Sequence, residues 1–320
     1  MKMFVTGGAG CIGSELVERL LKEGHYVITF DNLNSGKTEH ITKFMENKRF
    51  KFIKGDIFSN SKLLIKSMKG CDFVFHLAAN SYVKYFRGNC TDKDLNNNTI
   101  GTYNVLEAMR LNEIKNIAFT STSPIYGEAK TIPTPENYGP LETISLYAAS
   151  KVAGETLISA FSHMFDIQSW IFRIANTVGG KSRKGIGGTI ISDFILKLRR
   201  NPRELEILGN GKQTKSYMTV DDCIDGMLYC TKNARERVNI FNVGPNDTVT
   251  INEIAEIVVN EMGLKNVKFK YTGGDRGWVG DVPKFQLSVK KINNLGWRTK
   301  HTSKDAIRVA TRDLLNKVSG

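Results

Sequence analysis

Near its start the chain reads Lys2-Met-Phe-Val-Thr-Gly7-Gly8-Ala-Gly10-Cys11-Ile12-Gly13, an apolar run that stops at closely spaced glycines and continues into an amphipathic stretch from Glu15 to Glu23. This pattern predicts a strand, a tight turn and the start of a helix. With no side chains at Gly7, Gly10 and Gly13, a pyrophosphate can approach the helix N-terminus. The next apolar run, His25-Tyr-Val-Ile-Thr-Phe30, ends at Asp31, near the spacing at which a carboxylate binds adenosine ribose hydroxyls. A glycine-rich turn with a solvated aspartate would carry the same letters, but strand, turn, helix and acid occur here in order. The first inference is a bound dinucleotide. Asp31 would repel a 2′-phosphate, and Asn32 stands where an NADP enzyme commonly offers arginine, so NAD is expected over NADP.

Outward from this segment, apolar β-rich runs recur at 4–5, 27–30, 50–53, 73–77, 117–121, 170–174 and 238–243. Helical patterns separate most of them, at 13–22, 61–68, 94–111, 146–165, 189–199, 221–231, 251–262 and 303–315. Such alternation predicts an α/β fold with a doubly wound parallel Rossmann sheet, to which a smaller mixed α/β C-terminal lobe is attached. We expect residues 1–177 to form the NAD-binding domain, with 213–244 returning to it, and 178–212 and 245–320 to form a substrate-binding lobe. The glycine-rich segment 178–188 reads as a mobile loop where the chain leaves the sheet.

At 320 residues and 41% hydrophobic content the chain can bury a sizeable core. No apolar run approaches membrane-spanning length and the N-terminus enters a strand directly, so a cytoplasmic protein without a membrane partner is expected. The five cysteines (Cys11, Cys71, Cys90, Cys223 and Cys230) form no Cys-x-x-Cys pair. They suggest buried reduced thiols and no metal site. A formal charge of +13 raises nucleic-acid binding, but the lysines are scattered among acids with no basic block. A solvated basic surface is the simpler reading, and no nucleic-acid partner is expected. Its field would also favour an anionic substrate such as a nucleotide sugar.

The chemistry is written in two further stretches. Tyr147 and Lys151 lie four apart in Leu146-Tyr-Ala-Ala-Ser-Lys-Val-Ala-Gly-Glu155, so both would share one helix face. A free tyrosine ionises near pH ~10, and a neighbouring ammonium would favour its phenolate. The same pair also suits an aromatic ring packed on a lysine stem. Upstream, Phe119-Thr-Ser-Thr122-Ser123-Pro-Ile-Tyr126-Gly127 ends a buried strand in hydroxyl side chains, at the carboxyl edge where open α/β sheets bind ligands.

Together these residues resemble the extended short-chain dehydrogenase/reductase family, in particular its nucleotide-sugar epimerases of the UDP-glucose 4-epimerase type. The resemblance runs nearly the whole chain, through Gly55-Asp56-Ile57, His76-Leu77-Ala78-Ala79, Asn98-Thr-Ile-Gly-Thr102, Arg173-Ile-Ala-Asn176, Val220-Asp-Asp222 and Arg276-Gly-Trp-Val-Gly-Asp281. It implies bound NAD, with Gly7, Gly10, Cys11, Ile12 and Gly13 around the pyrophosphate. Asp31 and Asn32 would hold the adenosine ribose, and Asp56 with Ile57 would flank the adenine. Leu77, Ala78 and Ala79 would line the cofactor beside its nicotinamide half, and Asn98 would also bind the cofactor. Thr122 would bind the sugar's 4-oxygen with Ser123 beside it, Tyr147 would take or return its proton, and Lys151 would bind the nicotinamide ribose and lower the tyrosine's pKa. Asn176 would touch the substrate phosphates, Lys215 stands where many relatives place a diphosphate arginine, and Arg276 could supply the missing fork. Phe285, counted from Gly280-Asp281, would bound the space around the sugar's 2-substituent, although Ser288 replaces a common family aspartate nearby.

The resemblance also separates reactions. Family dehydratases carry an Asp-Glu pair directly after the catalytic threonine, and decarboxylases usually a glutamate two places after it; here Ser123-Pro124 follows Thr122. An epimerase acting at C4 of UDP-glucose or UDP-galactose asks least of the residues present. A reductase or a C2- or C5-acting relative stays open. A non-catalytic NAD sensor on the same fold is disfavoured because Tyr147 and Lys151 are both kept. A homodimer through a four-helix bundle is expected from the family and from the two helical patterns 94–111 and 146–165, which carry apolar positions on more than one face; burial under the second lobe would account for the same pattern.

Overall fold

Strand β1 (Lys2–Thr6) is buried almost throughout and passes through the glycine turn into helix Cys11–Lys22. The structure is a computed structural model that describes residues 1–80, 91–180, 189–277 and 282–319. β1 is joined by β2 (Tyr26–Asp31), β3 (Phe50–Lys54), β4 (Phe73–His76), β5 (Asn116–Thr122), β6 (Gln168–Ile174) and the strand Val238–Val243. These seven form one parallel sheet, ordered 238–243, β6, β5, β4, β1, β2, β3. Phe4 lies beside both Ile28 and Val74, and Val74 beside Ile117. The sheet order reverses at β1, so the carboxyl ends of β1 and β4 mark the crevice where such sheets bind ligands.

The chain divides into two compact units. The first comprises 1–125, 143–173 and 227–241, and the second 126–142, 174–226 and 242–320. The division differs from the sequence expectation for 126–142, 174–177, 213–226 and 242–244, which fall in the second unit. Hydrogen bonds hold two of these segments there: Thr134 N donates to the Gln286 carbonyl at 2.9 Å and Thr214 N to the Pro283 carbonyl at 2.8 Å.

In the first unit, Phe4, Phe30, Val74, Ile117, Phe119 and Ile171 from the strands meet Val105, Met109 and Ile158 from helices Gly101–Leu111 and Leu146–Phe165. The second unit has its own core, where Phe194, Ile195 and Leu198 of helix Ile190–Arg200 pack with Ile254 and Val258 of helix Ile251–Glu261 and Ile307 of helix Ser303–Ser319. Three two-stranded sheets complete that unit: Asn176–Val178 with Tyr217–Thr219, Thr214–Lys215 with Val249–Thr250, and Glu204–Ile207 with Lys268–Tyr271.

Several expectations are corrected in detail. The helix expected over 94–111 is three pieces, an α-helical turn Asp92–Asp94, a π-helical stretch Leu95–Ile100 and the α-helix Gly101–Leu111. β4 stops at His76; beyond it Leu77 N donates to the Thr6 carbonyl at 3.2 Å and Ala78 N to the Thr6 hydroxyl at 3.1 Å. Helix 303–319 runs past 315. Cys71, Cys223 and Cys230 are buried thiols, whereas Cys11 is only half-buried in the first turn of its helix. Cys90, most of the glycine-rich segment 178–188 and residues 278–281 of the Arg276 motif lie outside the described residues. Among the described residues no helix is long and apolar enough to cross a membrane, and no cluster of side chains could hold a metal ion.

Candidate active site

The glycine turn is built by close approach. Gly7 takes φ +73°, where an L side chain is strained, and a Cβ there would lie 2.7 Å from the Ala78 nitrogen. A Cβ on Gly13 would fall 2.2 Å from the Gly7 carbonyl oxygen. Gly10 caps the helix and, lacking a side chain, makes no side-chain hydrogen bond to its first turn. Asp31 closes β2: one carboxylate oxygen accepts from Ala9 N at 3.0 Å and the other from Leu33 N at 2.8 Å, which leaves lone pairs for ribose hydroxyls. Burial pushes its carboxyl above the ordinary aspartate value, against the two backbone hydrogen bonds. Asn32 is held next to it, donating to Asp56 Oδ2 at 2.6 Å, and Asp56 Oδ1 in turn accepts from Phe58 N. Ile57 is buried against Gly101. The residues present fit a dinucleotide: a side-chain-free turn at a helix start, followed by a fixed acid at the end of the next strand.

A second group gathers at the carboxyl ends of β4 and β5. Ala78 N donates to Thr6 Oγ1 at 3.1 Å, and Thr6 Oγ1 pairs with His76 Nδ1 at 2.7 Å. His76 Nε2 pairs with Thr102 Oγ1 at 2.9 Å, and Thr102 donates to the Asn98 carbonyl. Asn98 donates to Ser150 Oγ and to the Asn80 carbonyl, each at 2.9 Å, while its own Oδ1 accepts from Asn80 N at 2.7 Å. The π-helical stretch carries Asn98 at this crossing, a common use of such a distortion. Ser150 donates to the Tyr147 carbonyl at 2.7 Å, so the chain of contacts reaches the helix of Tyr147 and Lys151. This helix starts at Ser145, whose hydroxyl accepts from Ala148 N at 3.2 Å.

Lys151 is wholly buried. Its Nζ donates to the Thr120 carbonyl at 2.7 Å and lies 4.5 Å from the centre of the Phe119 ring. It is thereby tied to β5 two residues before Thr122, which is buried at the strand end beside Ser123. Burial brings the Lys151 ammonium down to about 7, with Glu155 and Asp94 opposing that shift. Tyr147 stands one turn earlier on the same helix, half-buried. The next turn, Ser123–Tyr126, is a 3-10 turn containing Pro124.

In the second unit Asn176 donates to the Ser216 carbonyl at 3.3 Å, Lys215 pairs across with Val249, and Phe285 N donates to the Thr214 carbonyl at 3.0 Å. Asn176, Lys215 and buried Phe285 therefore surround one short strand. Arg276 has a different engagement: its guanidinium forks onto Glu128, with Nη1 to Oε1 at 2.7 Å and Nη2 to Oε2 at 3.1 Å.

Sequence reasoning assigned no role to His76, Thr6 or Thr102, nor to the buried pair Glu155–Arg173. A fully apolar strand ending in histidine was the available signal at His76. Burial holds this imidazole down to about 3, against an ordinary value of 6.5. Between those values the unfolded chain binds a proton that the folded protein does not. Stability is therefore full above about pH 6.5 and falls as the pH drops toward 3. Urea unfolding at pH 7 and pH 4.5 should show this loss, and a His76→Gln variant should lose less over the same interval; an equal loss would exclude His76 as its source.

A family model described as the NAD dependent epimerase/dehydratase family matches residues 3–244, and the chain belongs to that family. A putative UDP-glucose 4-epimerase of Methanocaldococcus jannaschii is 32% identical over 309 residues, which cover 96% of each chain. UDP-glucuronic acid decarboxylase 2 of Arabidopsis thaliana is 30% identical over 327 residues, covering the whole of this chain and 69% of the relative. A solved UDP-galactose 4-epimerase superposes with a TM-score of 0.84 at 35% identity, over 99% of this chain and all of that one. The protein is thus an NAD-dependent nucleotide-sugar-modifying enzyme.

Proposed function

We propose that the protein interconverts UDP-glucose and UDP-galactose by epimerisation at C4. The observation that carries this reading is the turn after Thr122. Tyr147, Lys151 and the hydroxyls of Thr122 and Ser123 are present, while Pro124 sits in the 3-10 turn where a decarboxylase would bring a glutamate. Likeness to 4-epimerases supports it. Bound NAD supplies a reversible hydride acceptor, so a 4-keto sugar can be formed and reduced on either face. The chain's own residues do the proton chemistry and the holding. Tyr147 Oη takes the proton of the sugar's 4-hydroxyl and returns it, Thr122 Oγ1 orients that oxygen, and Lys151 Nζ stabilises the phenolate. Gly7 through Gly13, Asp31, Asn32, Asp56, Ile57, Leu77–Ala79 and Asn98 hold the cofactor. Asn176, Lys215 and Arg276 bind the diphosphate; Arg276 must exchange Glu128 for phosphate to do so. Incubating the purified protein separately with each UDP-sugar, without added reductant, tests the reading.

Phe285 is the proposed wall beside the sugar's 2-substituent. Its ring is 7% exposed and its backbone is fixed to Thr214, so an acetamido group would have to displace a packed side chain. Such overpacking typically costs about 1–3 kcal/mol. kcat/KM for UDP-galactose should exceed that for UDP-N-acetylgalactosamine, and Phe285→Ala should narrow the gap. Equal values in the unmodified protein would place the wall elsewhere.

A homodimer through a four-helix bundle accords with the exposed apolar side chains on the helical segments 92–111 and 146–165. Leu95, Tyr103 and Leu111 are half-exposed on one segment and Met164 is 72% exposed on the other. The two helices already pack on each other within the chain, with Tyr103 edge-on to Phe161 at 6.1 Å.

A further inference from the structure

Several charged or titratable groups among the described residues lie near Lys151. His76, on β4, stacks 5.4 Å from Phe119 and is kept neutral by burial. Asp94, from the turn before the π-helical stretch, and Glu155, from the lysine's own helix, supply negative charge. Tyr147 stands one turn earlier. Arg173 on β6 reaches this neighbourhood through Glu155.

Glu155 lies four residues beyond Lys151, on the same helix face. Its side chain is 7% exposed and that of Arg173 6%. Arg173 Nε donates to both carboxylate oxygens at 3.2 Å, and Nη2 donates to Oε2 at 2.8 Å. The planar fork fixes both the position and the orientation of the carboxylate. As a simple staple between helix and strand, two buried charges have no advantage over well-packed apolar side chains, because their desolvation offsets their attraction. What only an ion pair supplies is a fixed anion one turn from a buried ammonium that otherwise tends to discharge.

We propose that Glu155, clamped by Arg173, is a positioning residue for Lys151: its carboxylate keeps the ammonium charged where the helix meets β5, and Arg173 sets how strongly it does so. The inference rests on the reading in which Lys151 supports Tyr147. Two substitutions then have opposite effects. Glu155→Gln removes the anion and leaves the Arg173 cation, so Lys151 gives up its proton at lower pH. Arg173→Gln leaves the anion unneutralised, so Lys151 holds its proton to higher pH. A mechanical staple would respond to both losses in the same direction.

The test follows the Lys151 Cε resonance against pH in NAD-loaded, full-length protein labelled with 13C-lysine, assigned by its loss in Lys151→Met. The pH profile of kcat is recorded alongside. Glu155→Gln should lower the titration midpoint by about one unit, a tenfold change in proton affinity. Arg173→Gln should raise it, Glu155→Asp should restore it in part, and the kcat profile should move with it while KM stays near its original value. Unmoved midpoints, or shifts of the same sign, would overturn the proposal. Should Glu155→Gln not fold, Arg173→Gln decides alone, and a lowered or unmoved midpoint there is contrary. If no UDP-sugar is interconverted and the midpoints still move oppositely, the epimerase reading falls and the positioning role stands.

Discussion

Tyr147→Phe is expected to fold, retain NAD and turn over about 10²–10⁴-fold more slowly, the usual loss when a positioned proton-transfer group is removed. The ring keeps its place on the helix that Ser145 caps, and Lys151 keeps its bond to the Thr120 carbonyl, so neither the helix start nor the sheet contact depends on the hydroxyl. What disappears is the atom to which the proposed function assigns the proton transfer. KM should change little, because the nucleotide and diphosphate contacts are untouched. Steady-state rates with both sugars, combined with NAD released on denaturation, check this. Near-normal turnover would move the acid/base role away from Tyr147, and loss of NAD would make the tyrosine a cofactor-holding residue instead.

The second large effect is expected at the glycine turn. Gly13→Ala places a Cβ 2.2 Å from the Gly7 carbonyl oxygen and 2.8 Å from the Gly8 Cα, both backbone atoms that cannot rotate aside. The turn must open, at a cost of about 1–3 kcal/mol, and the amides at the helix start lose their arrangement. Urea unfolding should show the loss of stability, and titration with NAD should show affinity falling further than stability alone explains. Unchanged NAD affinity would mean that the turn does not form the pyrophosphate site. Gly70, an ordinary left-handed turn residue at φ +69° whose Cβ would meet only the end of Lys2 at 3.8 Å, supplies a control: Gly70→Ala should cost stability and leave NAD binding intact.

The same two regions show what a sequence makes legible. β1, its glycine turn and its helix could be read because each step is local: an apolar run, glycines at fixed offsets, an amphipathic face, and then Asp31 at the end of the next run. The buried strand Phe73–His76 announces itself by consecutive apolar letters, and the other strands of the sheet by shorter apolar runs set between helical patterns. The π-helical stretch at 95–100 was not, since its cause is tertiary. Asn98 is drawn to Asn80 and Ser150 from elsewhere in the chain, and nothing in Leu-Asn-Asn-Asn-Thr-Ile marks it. The His76 network was hidden for the same reason, because Thr6, His76 and Thr102 become neighbours only when β1, β4 and the helix at 101–111 are assembled. Glu155 and Arg173 were both present in quoted motifs, yet their pairing needs the helix to lie on β6. The Arg276 motif suggests a fork for the diphosphate, while its engagement by Glu128 depends on a loop partner 148 residues away.

In the proposed epimerisation, hydride leaves and returns at C4 of the sugar without exchange with water, while Tyr147 moves only the hydroxyl proton. The most direct measurement starts from UDP-galactose carrying deuterium at C4 and follows the products by NMR and mass spectrometry, with no added reductant. The expected products are UDP-glucose with deuterium retained at C4, the same mixture approached from either sugar, and no loss of carbon from UDP-glucuronic acid in a parallel reaction. Deuterium lost to solvent, a deoxy or decarboxylated product, or no conversion at all by NAD-loaded protein would contradict the proposal.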